Sequence, residues 1–61
     1  MNNTIYIETK KGQRKVKTFP FGQFETAMRY GWKLTNKNQN KTYFILTEND
    51  KCLRFNRTVI I

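Results

Sequence analysis

The sequence predicts a small α+β domain: a mostly antiparallel β-sheet of four or five strands with one α-helix packed on one face. Three observations support this fold class. Short segments of alternating β-branched and aromatic residues lie in both halves of the chain, turn residues separate them, and one central segment has helical apolar spacing. A chain of 61 residues is one domain, so residues 1–61 are expected to fold together in the order ββαβββ.

The first two strands are predicted to form a hairpin. Residues 4–9 and 14–19 alternate as strands do, and the Lys-Gly pair at 11–12 is a turn signal because glycine accepts a positive φ. In one register of these two strands, apolar residues lie opposite each other on one face of the hairpin and opposite charges lie opposite each other on the other face. Its predicted pairs are Ile7 with Val16, Ile5 with Thr18, Glu8 with Lys15 and Tyr6 with Lys17.

The segment that follows Pro20 is predicted to be the helix. Its apolar residues at positions 21, 24, 27 and 28 fall on one side of a helix over 21–30. Gly31 is predicted to cap its end, as glycine often does. A helix this short is marginal by itself, so it must dock on the sheet.

The second half of the chain is predicted to supply the remaining strands. Residues 32–35 are expected to form a short third strand, followed by a polar loop over 36–41. Residues 42–48 have the strongest strand pattern, and a two-residue turn at 49–50 connects them to a last strand over 51–60. The predicted pairs are Leu46 with Leu53, Phe44 with Phe55 and Glu48 with Lys51.

These registers divide the apolar residues between two faces. The face toward the helix is expected to carry Ile5, Ile7, Val16, Phe44, Leu46, Leu53 and Phe55, with Phe24 and Met28 packed on them from the helix. Trp32 is expected to anchor the helix end in this core, with base stacking as its alternative role.

The net charge of the chain points to a polyanionic partner. Twelve Lys/Arg against four Asp/Glu give a formal charge of +8, and such an excess on a small surface attracts polyanions. Five cations lie close together in the first hairpin. They are Lys10, Lys11, Arg14, Lys15 and Lys17.

Aromatic residues are predicted to lie among cations on the sheet face opposite the helix. Single-stranded nucleic acid is bound by this combination, because bases stack on rings while phosphates follow the basic groups. A polar face that serves only solubility and edge protection is the alternative, and an exposed Ile45 would favour a dimer interface. The predicted face carries Tyr6, Lys15, Lys17, Tyr43, Ile45, Arg54 and Asn56, with Lys33 joining it if Leu34 points inward.

The residue types present argue against an enzyme. The chain has no His and one Cys, which excludes His–Ser and Cys–His nucleophile systems and a zinc site. Its acids lie beside lysines or alone, and its three glycines are too far apart for a phosphate loop. We therefore expect no catalytic residue, no metal and no cofactor.

Location and assembly follow from the same composition. A single Cys52, no signal peptide and no apolar run of membrane length predict a cytoplasmic protein with no membrane contact. The small core and the apolar residues 59–61 predict a homodimer, because a partner would cover them.

The expected function is non-enzymatic binding of DNA or RNA with low sequence specificity. The alternative is a small inhibitor or adaptor that docks on an acidic host protein, for example by edge-strand addition. In size and charge the chain is similar to small β-rich chromatin and cold-shock domains, but the aromatic motifs of the RNA-recognition and cold-shock families are absent. Its bias toward residues with AT-rich codons resembles small accessory proteins of phages and plasmids, which transfers no residues. The predicted binding residues are Lys10, Lys11, Arg14, Lys15, Lys17, Tyr6, Lys33, Tyr43 and Arg54.

Overall fold

A four-stranded antiparallel sheet with one helix on one face makes up the computed structural model, which describes residues 2–38 and 40–55. The predicted α+β class is therefore confirmed, with the order ββαββ in the described residues. The sheet order is β2-β1-β3-β4, and every neighbouring pair is antiparallel. The elements are β1 (Asn3–Thr9), β2 (Gly12–Phe19), α1 (Phe24–Lys37), β3 (Tyr43–Leu46) and β4 (Cys52–Arg54).

The helix is longer than the sequence predicts. It continues through Gly31, so the strand predicted over 32–35 is wrong and those residues form its second half. Glycine in a helix interior is unfavourable and usually marks an end. Here it serves packing, because a Cβ at Gly31 would overlap the ring of Phe55. The helix ends at Lys37, and the backbone N–H of the capping residue Asn38 donates to the carbonyl oxygen of Leu34 at 2.9 Å.

A tight turn and a bulge change the predicted register of the first hairpin. Two residues, 10–11, close the turn, and Thr9 pairs with Gly12, which has a φ of 122°. The prediction placed four residues in this connection. The register shifts again between Ile5 and Tyr6, where Val16 is left without a partner. The observed pairs include Asn3 with Phe19, Thr4 with Thr18, Ile5 with Lys17, Tyr6 with Lys15 and Ile7 with Arg14.

The second hairpin is also shifted, by one residue. Its loop has three residues, 48–50, instead of the predicted two, and Asp50 takes a left-handed φ of 62°. A left-handed third residue is typical of three-residue hairpin loops. The buried Thr47 side chain organises this loop, because its oxygen accepts hydrogen bonds from the backbone N–H groups of Asn49 and Lys51. The observed pairs are Phe44 with Arg54, Ile45 with Leu53 and Leu46 with Cys52.

A shift of one residue exchanges the two faces of a strand. Ile45, predicted to be exposed, is fully buried under the helix, whereas Phe44 and Leu46 lie on the opposite face. Val16 and Leu53, predicted to be in the core, are substantially exposed. The buried core comprises Ile5, Phe19, Ala27, Tyr43, Ile45 and Phe55, and Ile7, Met28, Tyr30 and Leu34 pack against it.

Asn3 joins three segments at one end of the sheet. Its fully buried side chain donates to Glu48 Oε2 at 3.3 Å and to the carbonyl oxygen of Pro20 at 3.4 Å. Its Oδ1 accepts from the backbone N–H of Glu48 at 2.9 Å, and Glu48 Oε2 also accepts from the N–H of Gly22 at 2.6 Å. The β3–β4 loop is thereby attached to the start of β1 and to the turn before α1.

We expect Gly31→Ala to lower the free energy of unfolding by about 1–2 kcal/mol, because the new methyl group overlaps the Phe55 ring. At a helix position without this contact, the same change would raise stability by about 1 kcal/mol. Urea denaturation measures the difference, and Thr26→Ala at an exposed position of α1 is the control. A Gly31→Ala protein that is more stable than the wild type would contradict the packing described here.

Candidate nucleic-acid interface

The hairpin turn and the end of α1 lie at the same end of the sheet. Ile7, near the end of β1, pairs with Tyr43 at the start of β3, and the N–H of Glu8 donates to the carbonyl oxygen of Thr42 at 2.9 Å. A helix of 14 residues is about 21 Å long, close to the length of a seven-residue strand. Because α1 begins beside Gly22 at the other end, it runs the length of the sheet. We call the two ends the hairpin end and the Glu48 end.

Charge is distributed unequally between these two ends. Three of the four acids lie at the Glu48 end: Glu25 in the first turn of α1, and Glu48 and Asp50 in the β3–β4 loop. Cations dominate the hairpin end, and their side chains are exposed, which concentrates positive potential there. These cations are Lys10, Lys11, Arg14, Lys37 and Lys41.

The outer face of the sheet carries an aromatic pair instead of an open stacking platform. The rings of Tyr6 and Phe44 stack with centroids 5.3 Å apart and planes 13° from parallel. One face of the Tyr6 ring is therefore occupied, and Phe44 is only 7% exposed. Lys15, opposite Tyr6, is on this face as predicted.

An ion pair reduces the positive charge of the outer face. Arg54 Nη1 lies 3.8 Å from Glu8 Oε2, and both side chains are about half exposed. Exposed pairs of this kind contribute little to stability. The pair nonetheless places a negative charge beside Arg54, so this face is less cationic than the sequence predicts.

Several predicted members of the outer face lie elsewhere, and their predicted placement is wrong. Tyr43 is buried in the core at 4% exposure, because the shifted register turns it toward the helix. Lys17 pairs with Ile5 on the helix side, where its Nζ lies 5.2 Å from the centroid of the Tyr30 ring, a cation–π contact. Lys33 lies on α1 and is exposed, so it is not part of the sheet. Asn56 is outside the described residues.

A groove along α1 is the feature that sequence reasoning missed. It is shallow and largely open to solvent, and all the residues that line it belong to this one helix. Trp32 is 36% exposed and forms a T-shaped pair with Phe55, with ring centroids 5.3 Å apart and planes at 81°. Cations recur beside it at intervals of four residues. This spacing was visible in the sequence but has meaning only if the helix continues past Gly31. The groove is lined by Met28, Arg29, Trp32, Lys33, Asn36 and Lys37.

The described residues form no group of three His, Cys, Asp or Glu side chains placed to hold a metal ion, and Cys52 is an exposed free thiol. No helix in this part of the chain is long and apolar enough to cross a membrane. No protein-family model matches the sequence, and comparisons with curated proteins and with solved structures find no match either. The functional argument therefore depends on the charges and contacts of this chain alone.

Proposed function

We propose that this protein is a non-enzymatic nucleic-acid-binding protein that contacts phosphates with its hairpin end. The observation that carries the proposal is the separation of charge between the two ends of the sheet. The turn residues Lys10 and Lys11 are joined there by Lys37 and Lys41 from a distant part of the chain. The chain has a net charge of +8, and the concentration of five of its cations at one end attracts a polyanion and orients it during approach.

Low sequence specificity follows from the kind of contact proposed. Lysine and arginine contacts to phosphate position a protein but carry no base information. The hairpin end exposes five cations among neutral polar side chains and Glu8, and on the outer face one side of the Tyr6 ring is covered by Phe44. A role as a phage or plasmid accessory protein in the cytoplasm remains a prediction from composition.

Docking on an acidic protein is the second candidate, and the position of β2 at the edge of the sheet formed by the described residues favours it. This edge strand is exposed from Gly12 to Thr18. However, edge lysines and bulges oppose the addition of another strand, and β2 has Lys15 and Lys17 on either side of the bulge at Val16. We therefore favour nucleic acid. The homodimer also remains a prediction, because it rests on residues 59–61, which lie outside the described residues.

We expect affinity for nucleic acid to fall steeply with salt. Four to six phosphate contacts would give a plot of log affinity against log salt with a slope of about −3 to −5, because each contact releases a counterion. The slope is measured by fluorescence anisotropy of a labelled oligonucleotide at salt concentrations from about 50 to about 300 mM. Binding that does not respond to salt would sink the proposal.

We expect Lys11→Gln to weaken binding several-fold and to reduce the salt slope by about one, the effect of losing one phosphate contact. Lys51→Gln is the matched control. It removes the same charge from an exposed position at the Glu48 end. Both variants should keep wild-type melting temperatures, since the side chains are on the surface. Equal losses of affinity in the two variants would show that net charge, and not its placement at the hairpin end, governs binding.

A further inference from the structure

We propose that the groove along α1 binds an unpaired base of single-stranded nucleic acid, with the base stacked on Trp32 and the adjoining phosphates on the cations of the helix. This inference rests on the proposed function and deepens it, since it names single strands as the preferred ligand. It also assigns the binding of bases to α1 and not to the outer face of the sheet.

The first argument is the setting of Trp32. Its ring and the ring of Phe55 form a T-shaped pair, so the indole is held in place while about a third of the residue is exposed. A fixed, partly exposed indole is a better stacking surface than a mobile one, because less conformational freedom is lost on binding. Met28, one helical turn earlier, lines the same groove and extends its apolar surface.

The second argument is the spacing of the cations. Arg29, Lys33 and Lys37 follow one another at four-residue intervals, which is about 6 Å of rise along the helix for each interval. Their side chains are exposed and flank the groove that contains Trp32. A strand lying along α1 would therefore meet a cation at regular intervals while one base lies against Trp32. This is the combination of stacking ring and basic track that single-strand binders use.

The third argument is continuity with the hairpin end. Lys37 is in the last turn of α1 and lies at the hairpin end with Lys41, Lys10 and Lys11. A strand that leaves the groove at this end of the helix meets further cations. In the other direction the track stops, because Glu25 stands one turn before Arg29. The charges on this side of the molecule are complementary to a phosphate chain and unfavourable to a basic partner.

Single strands are favoured over duplexes because a stacking contact needs a free base face. In a duplex both faces of each base are covered by neighbours, whereas unpaired bases can turn outward and stack on aromatic side chains. An acidic peptide would pair with the cations but would offer no planar ring to stack on Trp32. The test below therefore includes an acidic polypeptide as a competing ligand.

The experiment uses the single tryptophan of the chain as the probe. The intact protein is titrated at low salt with oligothymidine, with an abasic oligonucleotide of equal length, with a DNA duplex and with polyglutamate. Binding is followed by competition with a labelled oligonucleotide, and Trp32 emission is recorded in the same samples. We expect oligothymidine to quench the emission strongly, and the abasic strand to bind with little quenching and about tenfold lower affinity.

Variants separate the contribution of the ring from that of the charges. Trp32→Leu should lower affinity for oligothymidine about tenfold and leave affinity for the abasic strand unchanged, with circular dichroism melting to check the fold. Lys33→Gln leaves the Trp32 ring in place and should lower the affinity for both oligothymidine and the abasic strand several-fold. The wild-type quenching experiment decides the inference even if Trp32→Leu fails to fold.

The outcomes distinguish the two proposals. Tight binding of all nucleic acids with no base-dependent quenching would overturn the groove inference and leave the proposed function standing. Quenching by polyglutamate equal to that by oligothymidine would overturn the inference in favour of an acidic protein partner. Absence of binding to every nucleic acid would overturn the proposed function itself.

Discussion

The close approach of Phe55 to Gly31 is the contact on which the core and the groove both depend. The Phe55 ring lies where any side chain at position 31 would be, and its backbone N–H donates to the carbonyl oxygen of Tyr43 at 3.0 Å. The residue that follows β4 is thus attached to the sheet and inserted beneath the helix. Trp32 packs on the outer side of the same ring. Closing the core therefore also positions the aromatic residue of the candidate site.

The second organising feature is the use that the fold makes of its few acids. Glu48 accepts hydrogen bonds from the Asn3 side chain and the Gly22 N–H. Its carboxylate therefore connects the β3–β4 loop to the start of β1 and to the turn before α1. Glu8 lies near Arg54 on the outer face. The cations that have no acidic neighbour repel one another, and this repulsion destabilises a compact domain. A bound polyanion would relieve that repulsion, so stability and ligand binding should be coupled in this protein.

The sequence predicts the fold class, both hairpins and the two faces of β1, but it assigns the faces of β3 the wrong way round. Alternation identifies strands, yet the face depends on loop length, and each loop differs from its predicted length: two residues at 10–11 and three at 48–50. The second change turns Tyr43 and Ile45 inward. The predicted helix end is wrong for another reason: Gly31 packs against Phe55, a residue 24 positions away, and local sequence patterns do not show such a contact. Because the sequence predicts a helix that ends before Gly31, it does not predict the row of cations along the groove. The cations of the first hairpin turn are predicted to be exposed because any surface turn exposes them.

The central claim is that one end of this small domain, together with the helix that leads to it, forms the binding surface. Amide chemical-shift mapping of the isotope-labelled protein with a short single-stranded oligonucleotide tests it most directly. The account predicts that the largest shifts fall on residues 10–14, on 29–37 and on the Trp32 indole N–H, with little change at 48–51. Shifts confined to the outer sheet face around Tyr6, or centred on the Glu48 end, would contradict it.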